Sequence, residues 1–302
     1  MEHAFPHFEP LSLDHCGHIE SMTARFHPYS DFNFTSLFSW NTNNLVAHSV
    51  LDGNLVVRFA DYLTGEPVYS FLGDTNTDTT AQTLLQYMKN EGLKSEIRLL
   101  PESSLGSIHP DKFQITEDPD NHDYILSIDR LLQFHGSRLK PNRNLVTRFK
   151  KSYQSSTRLL DLTDPSTKKM LIEFFLAWAK RKDLPDEQIE NEFNAMSRAL
   201  EFASVKKLLG VGIFVENELA GFTICERLAG PYAMLHFEKA DPSRCVGIYQ
   251  YLIQETAKIL AAGGCQLLNY QQDLGLPGLR MCKKGFHPAH YLRKYRISWL
   301  DK

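Results

Sequence analysis

The stretch Asn269 to Pro288 reads NYQQDLGLPGLRMCKKGFHP and follows an apolar run. It gathers amide, carboxylate and cationic side chains among glycines and prolines. Residues of these types can position a polar substrate and neutralise its anionic groups; the same composition also suits a solvated turn. Upstream, Glu238 stands late in the apolar run Tyr232–Ala240. A carboxylate there is costly to bury unless paired, so it is a candidate general base for an attacking amine, or a binder for a substrate ammonium. The competing reading is a salt bridge to Lys239 or Arg244. Strict alternation along the run would put Met234, His236 and Glu238 on one side and Leu235, Phe237 and Lys239 on the other.

The third candidate is a charge run. From Leu131 to Leu160 the chain carries Arg138, Lys140, Arg143, Arg148, Lys150, Lys151 and Arg158 without one Asp or Glu. This local positive field suits phosphate, whether of tRNA, a nucleotide or an anionic lipid head group, or else is a solvated helix face. After Pro141, residues Asn142–Tyr153 read as a helix held to the core by Val146 and Phe149. His287 and His290 flank Pro288 rather than a clear helix, so no metal site is expected. Gly210-x-Gly212 opens a strand and is no dinucleotide fingerprint.

These residues need elements to position them, and the elements come in a repeated order. A hairpin signal at Val50–Val57 recurs at Phe214–Gly221. Asp52 to Pro67 and Glu216 to Pro231 are the same interval, 15 residues. Each proline is followed by a strand (67–74 and 231–241), a helix (Asp78–Asn90 and Gly247–Ala262), and a second strand (Glu96–Pro101 and Cys265–Gln271). Each half then closes on a similar strand, Tyr124–Ile128 and Tyr295–Trp299. In the second helix Tyr249, Ile253, Ala257 and Leu260 share one face. This predicts an internally duplicated α+β unit, divided as residues 1–129 and 130–302. Segment 164–206 adds apolar stripes (Met170, Phe174, Phe175, Trp178, then Ile189, Phe193, Met196, Leu200) broken at Asp183–Asp186.

Helix, hairpin, strand, glycine-led helix and strand is the order of the GNAT acyltransferase fold. That implies mixed sheets with splayed central strands and a ligand in the opening between 232–240 and 265–271. Arg244-x-x-Gly247-x-Tyr249 is a degenerate pyrophosphate loop, with Tyr249 where a small residue is needed to let backbone N–H groups reach phosphate. Coenzyme A is therefore the less expected donor, and a plain capped helix the alternative.

Net charge is −3, so the chain as a whole does not advertise nucleic acid. Five cysteines (Cys16, Cys225, Cys245, Cys265, Cys282) form no CxxC pair, which suits a reduced, cytoplasmic protein. No signal peptide or bilayer-spanning run is present, so any membrane role is expected to be peripheral.

SDFNFTSLFSWN (30–41), DYILSIDRLLQFHGSRLKPNRNLVTRFKKSY (123–153), HFEKAD…GIYQ (236–250) and NYQQDLGLPGLRMCKKGFHP (269–288) resemble the DUF2156 family, which includes the C-terminal domain of phosphatidylglycerol lysyltransferases. The resemblance implies a tandem GNAT-like fold akin to Fem aminoacyl and peptidyl transferases, with aminoacyl-tRNA rather than a resident cofactor as donor and an amine or hydroxyl acceptor. Lys140, Arg143, Asn144 and Phe149 match the family's basic helix. Glu238 to Asp241, then Gly247, Tyr249 and Gln250, match its E-K-A-D and G-x-Y-Q motifs. Asn269 to Gly275 match N-R-E-Q-D-L-G, except that Tyr270 and Gln271 replace Arg and Glu.

The expectation is an acyltransferase with Glu238 as acid-base group and Asn269 and Asp273 as positioning partners. Arg143, Lys150, Lys239, Gly247, Tyr249, Gln250, Gln272, Arg280 and Lys283 would bind substrate, with Lys284 beside them. The partners expected are tRNA along 138–158 and an anionic lipid or small-molecule acceptor. An acyl-coenzyme A-dependent transferase and a non-catalytic protein binding an anionic ligand are the alternatives.

Overall fold

The computed structural model describes residues 4–181 and 185–300; Asp183 and Leu184 of the expected helix break lie outside them. The chain divides into two compact units. One comprises residues 1–123, 272–276 and 291–302, the other 124–271 and 277–290.

In the first unit four antiparallel strands run in the order Glu9–Pro10, Ala47–Leu51, Asn54–Ala60, Pro67–Leu72. The hairpin turns at Asp52-Gly53, both with positive φ (53° and 78°), the geometry that matches the twist of its strands. A second sheet sets Lys294–Trp299 between Glu96–Pro101 and Phe113–Glu117. Helix Thr77–Asn90 buries Ala81, Leu84, Leu85 and Met88 against Val56, Phe71, Ile97 and Ile297.

In the second unit the sheet order is Ser155–Leu160, Leu209–Val215, Glu218–Arg227, Tyr232–Ala240, Leu267–Asn269, then the strand ending at Ser127. Its hairpin turns at Glu216-Asn217, again with positive φ at both residues (53° and 65°). On one side lies helix Ile248–Ala262, whose Tyr251 stacks on Phe149 of helix Lys140–Ser152 with ring centroids 4.5 Å apart. Each such large apolar side chain taken out of water contributes about 1.5–3 kcal/mol. Helix Pro165–Ala179 brings Phe174 edge-on to Phe222 of the sheet, and its Phe175 meets Phe193 of helix Asp186–Glu201.

Both units thus contain the expected hairpin, strand, helix and strand, and the fold is α+β of the duplicated GNAT-like kind. Three details depart from the sequence expectation. The closing strands are exchanged: the one ending at Ser127 joins the second unit's sheet, and Lys294–Trp299 joins the first unit's. Local pattern cannot reveal this, because an apolar strand satisfies either sheet. The strand expected over Cys265–Gln271 is regular only over Leu267–Asn269. The third departure is at His236. Ile224 pairs Phe237 and Cys225 pairs Leu235, which leaves His236 as the extra residue of a β-bulge. A bulge shifts the alternation by one.

Candidate active site

The parallel pairing of Tyr232–Ala240 with Leu267–Asn269 lasts three residues, Tyr232↔Leu267, Ala233↔Leu268 and Met234↔Asn269. Beyond it the two strands part, with helix Ile248–Ala262 connecting them. Past the regular pairing Gln271 still links the two segments, donating from Nε2 to the Leu235 carbonyl at 2.7 Å.

The bulge sets which way Glu238 faces. The carboxylate points to the side of Leu235, Ala240 and Tyr270, and Oε2 accepts a hydrogen bond from the Tyr270 hydroxyl. Oε1 is buried without a hydrogen-bond partner. Burial pushes the Glu238 carboxyl up to about 7, although the Tyr270 bond and the Lys283 and Lys239 charges oppose the rise. A carboxylate with one oxygen held, the other unsatisfied and a proton affinity near neutrality has the properties of a general base.

His236, expected beside Glu238, is elsewhere. It lies 3.2 Å from Glu226, whose other oxygen is 2.8 Å from Lys206. Burial alone would raise the Glu226 carboxyl, but His236 and Lys206 bring it down to about 2. Neither salt-bridge reading of Glu238 holds: Lys239 pairs with Glu192 at 2.5 Å and lies 4.1 Å from the Trp178 ring centroid, and Arg244 pairs with Glu218 at 2.7 Å.

In the loop 241–248 the backbone N–H groups of residues 243–246 and 248 are engaged within the protein. Asp241 Oδ1 accepts from the Ser243 and Arg244 backbone N–H groups, and the Cys245 N–H donates to the Asp241 carbonyl. The Val246 N–H donates to the Tyr153 hydroxyl and the Ile248 N–H to the Cys245 carbonyl. Burial would raise the Asp241 carboxyl, yet the bonds from Ser243 and Arg244 and the Arg181 charge 3.1 Å away hold it below the usual range. The Asp241 carboxylate thus takes the Ser243 and Arg244 N–H groups of the loop. Gly247 (φ 84°) is required for packing, since a Cβ there would lie 2.4 Å from the Leu145 carbonyl oxygen. Tyr249 reaches back to the Ala240 carbonyl at 3.2 Å, and Gln250 is partly buried in the helix's first turn.

Other expected site residues take structural positions. Asn269, fully buried, accepts from the Gln271 N–H at 2.7 Å, and in the first unit Asp273 accepts from the Gly275 N–H at 2.9 Å. Gln272 is buried in that unit and accepts from Ser30 at 2.6 Å. Lys283, expected to face an anionic substrate, turns inward: its ammonium is 2.5 Å from the Tyr270 carbonyl oxygen and 5.0 Å from that ring's centroid. Helix Pro277–Gly285 also carries Arg280, partly buried, and Lys284, exposed.

On helix Lys140–Ser152, Arg143 donates to the Phe134 carbonyl at 2.6 Å, at the end of helix Ile128–Gln133 where carbonyls lack intrahelical partners. Lys150 donates to Gln254 at 3.1 Å. Arg138, Lys140, Arg148 and Lys151 are exposed. Sequence reasoning did not place Tyr270 or Cys282 in the site. Cys282 is exposed as a residue; shielding of its thiol from water and the Glu238 charge push the thiol up. The replacement of Arg-Glu by Tyr270-Gln271 was the available signal for Tyr270; nothing local marked Cys282. None of the described cysteines is in a disulfide.

A family model described as phosphatidylglycerol lysyltransferase, C-terminal, matches residues 23–298. Among solved structures, a conserved protein of unknown function from Bacteroides thetaiotaomicron is similar, with 22% identity over 97% of this chain and 99% of that one and a TM-score of 0.82. The L-PGS structure from Bacillus licheniformis has 12% identity over 97% and 94% and a TM-score of 0.65. A tandem GNAT protein from the clavulanic acid biosynthesis pathway has 10% identity over 98% and 99% and a TM-score of 0.51. No curated protein sequence matches. No described helix is long and apolar enough to cross a membrane.

Proposed function

The chain belongs to the phosphatidylglycerol lysyltransferase C-terminal family, and from this we propose that it moves an aminoacyl group from aminoacyl-tRNA to an amine or hydroxyl acceptor. The observation that carries the reading is Glu238, beyond the end of the parallel pairing, with Oε2 held by Tyr270 and Oε1 without a hydrogen bond. The acceptor's N–H or O–H proton passes to Oε1 as its lone pair attacks the carbonyl carbon of the aminoacyl ester. The ester C–O bond then breaks, and the ribose oxygen leaves with the proton returned by Glu238. One amide or ester forms, one ester is lost, and no covalent enzyme intermediate is needed because the donor is already activated.

The occupied amide groups of loop 241–248 speak for a donor other than coenzyme A. The exposed cations Arg138, Lys140, Arg148 and Lys151 suit a tRNA backbone. An anionic lipid head group is the acceptor class that fits the family name and the exposed Lys284. The test is a transfer assay with tRNAs charged with labelled amino acids, offered phosphatidylglycerol and simple amines as acceptors. Label should reach an acceptor with the wild type and not with Glu238→Gln. Strong thermal stabilisation by coenzyme A, with no transfer from any charged tRNA, would overturn the donor assignment.

A further inference from the structure

The two oxygens of Glu238 are unequal, and Tyr270 makes them so. Its hydroxyl donates to Oε2, leaving Oε1 as the oxygen without a hydrogen bond. Tyr270 is itself immobilised. It is 5% exposed, its ring meets Phe286 edge-on at 5.7 Å, and the Lys283 ammonium holds its carbonyl oxygen at 2.5 Å. The backbone on either side is also fixed: the Tyr270 N–H donates to the Tyr124 carbonyl at 2.8 Å, and the Tyr124 N–H to the Gln271 carbonyl at 3.1 Å.

We propose that Tyr270 is a positioning residue which commits Oε1 of Glu238 to proton transfer, and whose neutral phenol leaves the carboxylate basic enough to perform it. This rests on the acyl-transfer reading above. A carboxylate with no fixed partner rotates and presents either oxygen, so the proton-accepting lone pair has no set direction. A donor on one oxygen removes that freedom. The kind of donor sets the base strength. A cation at this position would ion-pair with Glu238 and pull its proton affinity down by roughly 1–3 pH units, weakening the base. A phenol satisfies one oxygen with a smaller effect. It does not compete for the proton, because burial and the Glu238 charge push its own ionisation well above the usual tyrosine value.

The experiment titrates the Glu238 carboxyl directly, by carbon-13 NMR of the labelled side chain, in the wild type and in Tyr270→Phe. Circular dichroism establishes that the variant is folded. The midpoint should be near 7 in the wild type and move up by about one pH unit in the variant, the worth of one hydrogen bond. The transfer rate of the variant should be down more than fivefold at pH 7 and recover about fivefold by pH 9, where the base is again ionised, leaving a residual loss from the freed orientation of the carboxylate. Were Tyr270→Phe unfolded, 3-fluorotyrosine at 270 must move the midpoint to lower pH, since it is a stronger donor of nearly the same shape. An unmoved midpoint in either variant, or a rate loss equal at every pH, overturns the proposal. A midpoint that moves as expected in a protein that transfers no aminoacyl group supports the pairing and counts against the acyl-transfer reading alone.

Discussion

Asp31 and Asp123 in the first unit and Glu238 in the second are carboxylates held in opposite ways. In the first, the fully buried Lys294 ammonium lies 2.5 Å from Asp31 and 2.8 Å from Asp123. The Ser30 N–H donates to Asp123, the Ser30 hydroxyl lies 2.6 Å from both Asp123 and Gln272, and Gln272 and Tyr62 donate to Asp31. Burial alone would strip Lys294 of its proton, but the two carboxylates hold the proton on. In the second, Glu238 has a neutral partner on one oxygen and none on the other. A closed network spends its charges on holding the chain together, and breaking it should cost stability. A half-closed one retains capacity for something that arrives later. Burial of a carboxylate does not by itself mark an active site; what its second oxygen touches decides.

Five measurements test this contrast. The largest effect expected is on Glu238→Gln, which should lose about 10²–10⁴ of kcat/KM in the transfer assay while its urea midpoint at pH 7 is no lower than wild type. A loss of fold instead would make Glu238 a structural group like Asp31. Next is Lys294→Met, which leaves two buried carboxylates facing each other. It should destabilise the protein by about 3–5 kcal/mol in denaturant unfolding. A change under 1 kcal/mol would mean the network is not the structural counterpart described.

The third effect is on pH dependence. Folding raises the Glu238 carboxyl from 4.5 to about 7. The native state therefore keeps a proton that the unfolded chain releases. The stabilisation is complete below about pH 4.5 and is lost as pH rises through 7. Wild-type stability should fall over that window relative to Glu238→Gln, and parallel stability curves for the two proteins would refute the raised affinity. The smallest effect on folding is expected from Arg148→Ala combined with Lys151→Ala, within about 0.5 kcal/mol of wild type because both are exposed. That double variant should nevertheless weaken tRNA binding and flatten its salt dependence. Arg143→Ala should behave differently and lose stability, since its guanidinium caps the carbonyls that end helix Ile128–Gln133. Equal effects of Arg143 and of the exposed pair would dissolve that distinction.

The sequence by itself determined the repeated element order, both hairpins and the helices that follow them. These rest on local rules: turn residues that accept positive φ, apolar periodicity, and glycine or proline at element ends. Glu238 was legible for a similar reason, since a carboxylate late in an apolar strand is conspicuous under any register. Only the tertiary structure decided which way it faces. Alternation grouped it with His236, and the bulge at His236 turned it toward Tyr270 instead, because one extra residue reverses every side chain beyond it. Tertiary structure also decided that Arg143, Lys150 and Lys283 are held by carbonyl and amide oxygens, and which sheet each closing strand joined. Charge and pattern are properties of residues along the chain. Which oxygen a cation finds, and which edge a strand completes, depend on groups far away in sequence that only folding brings near.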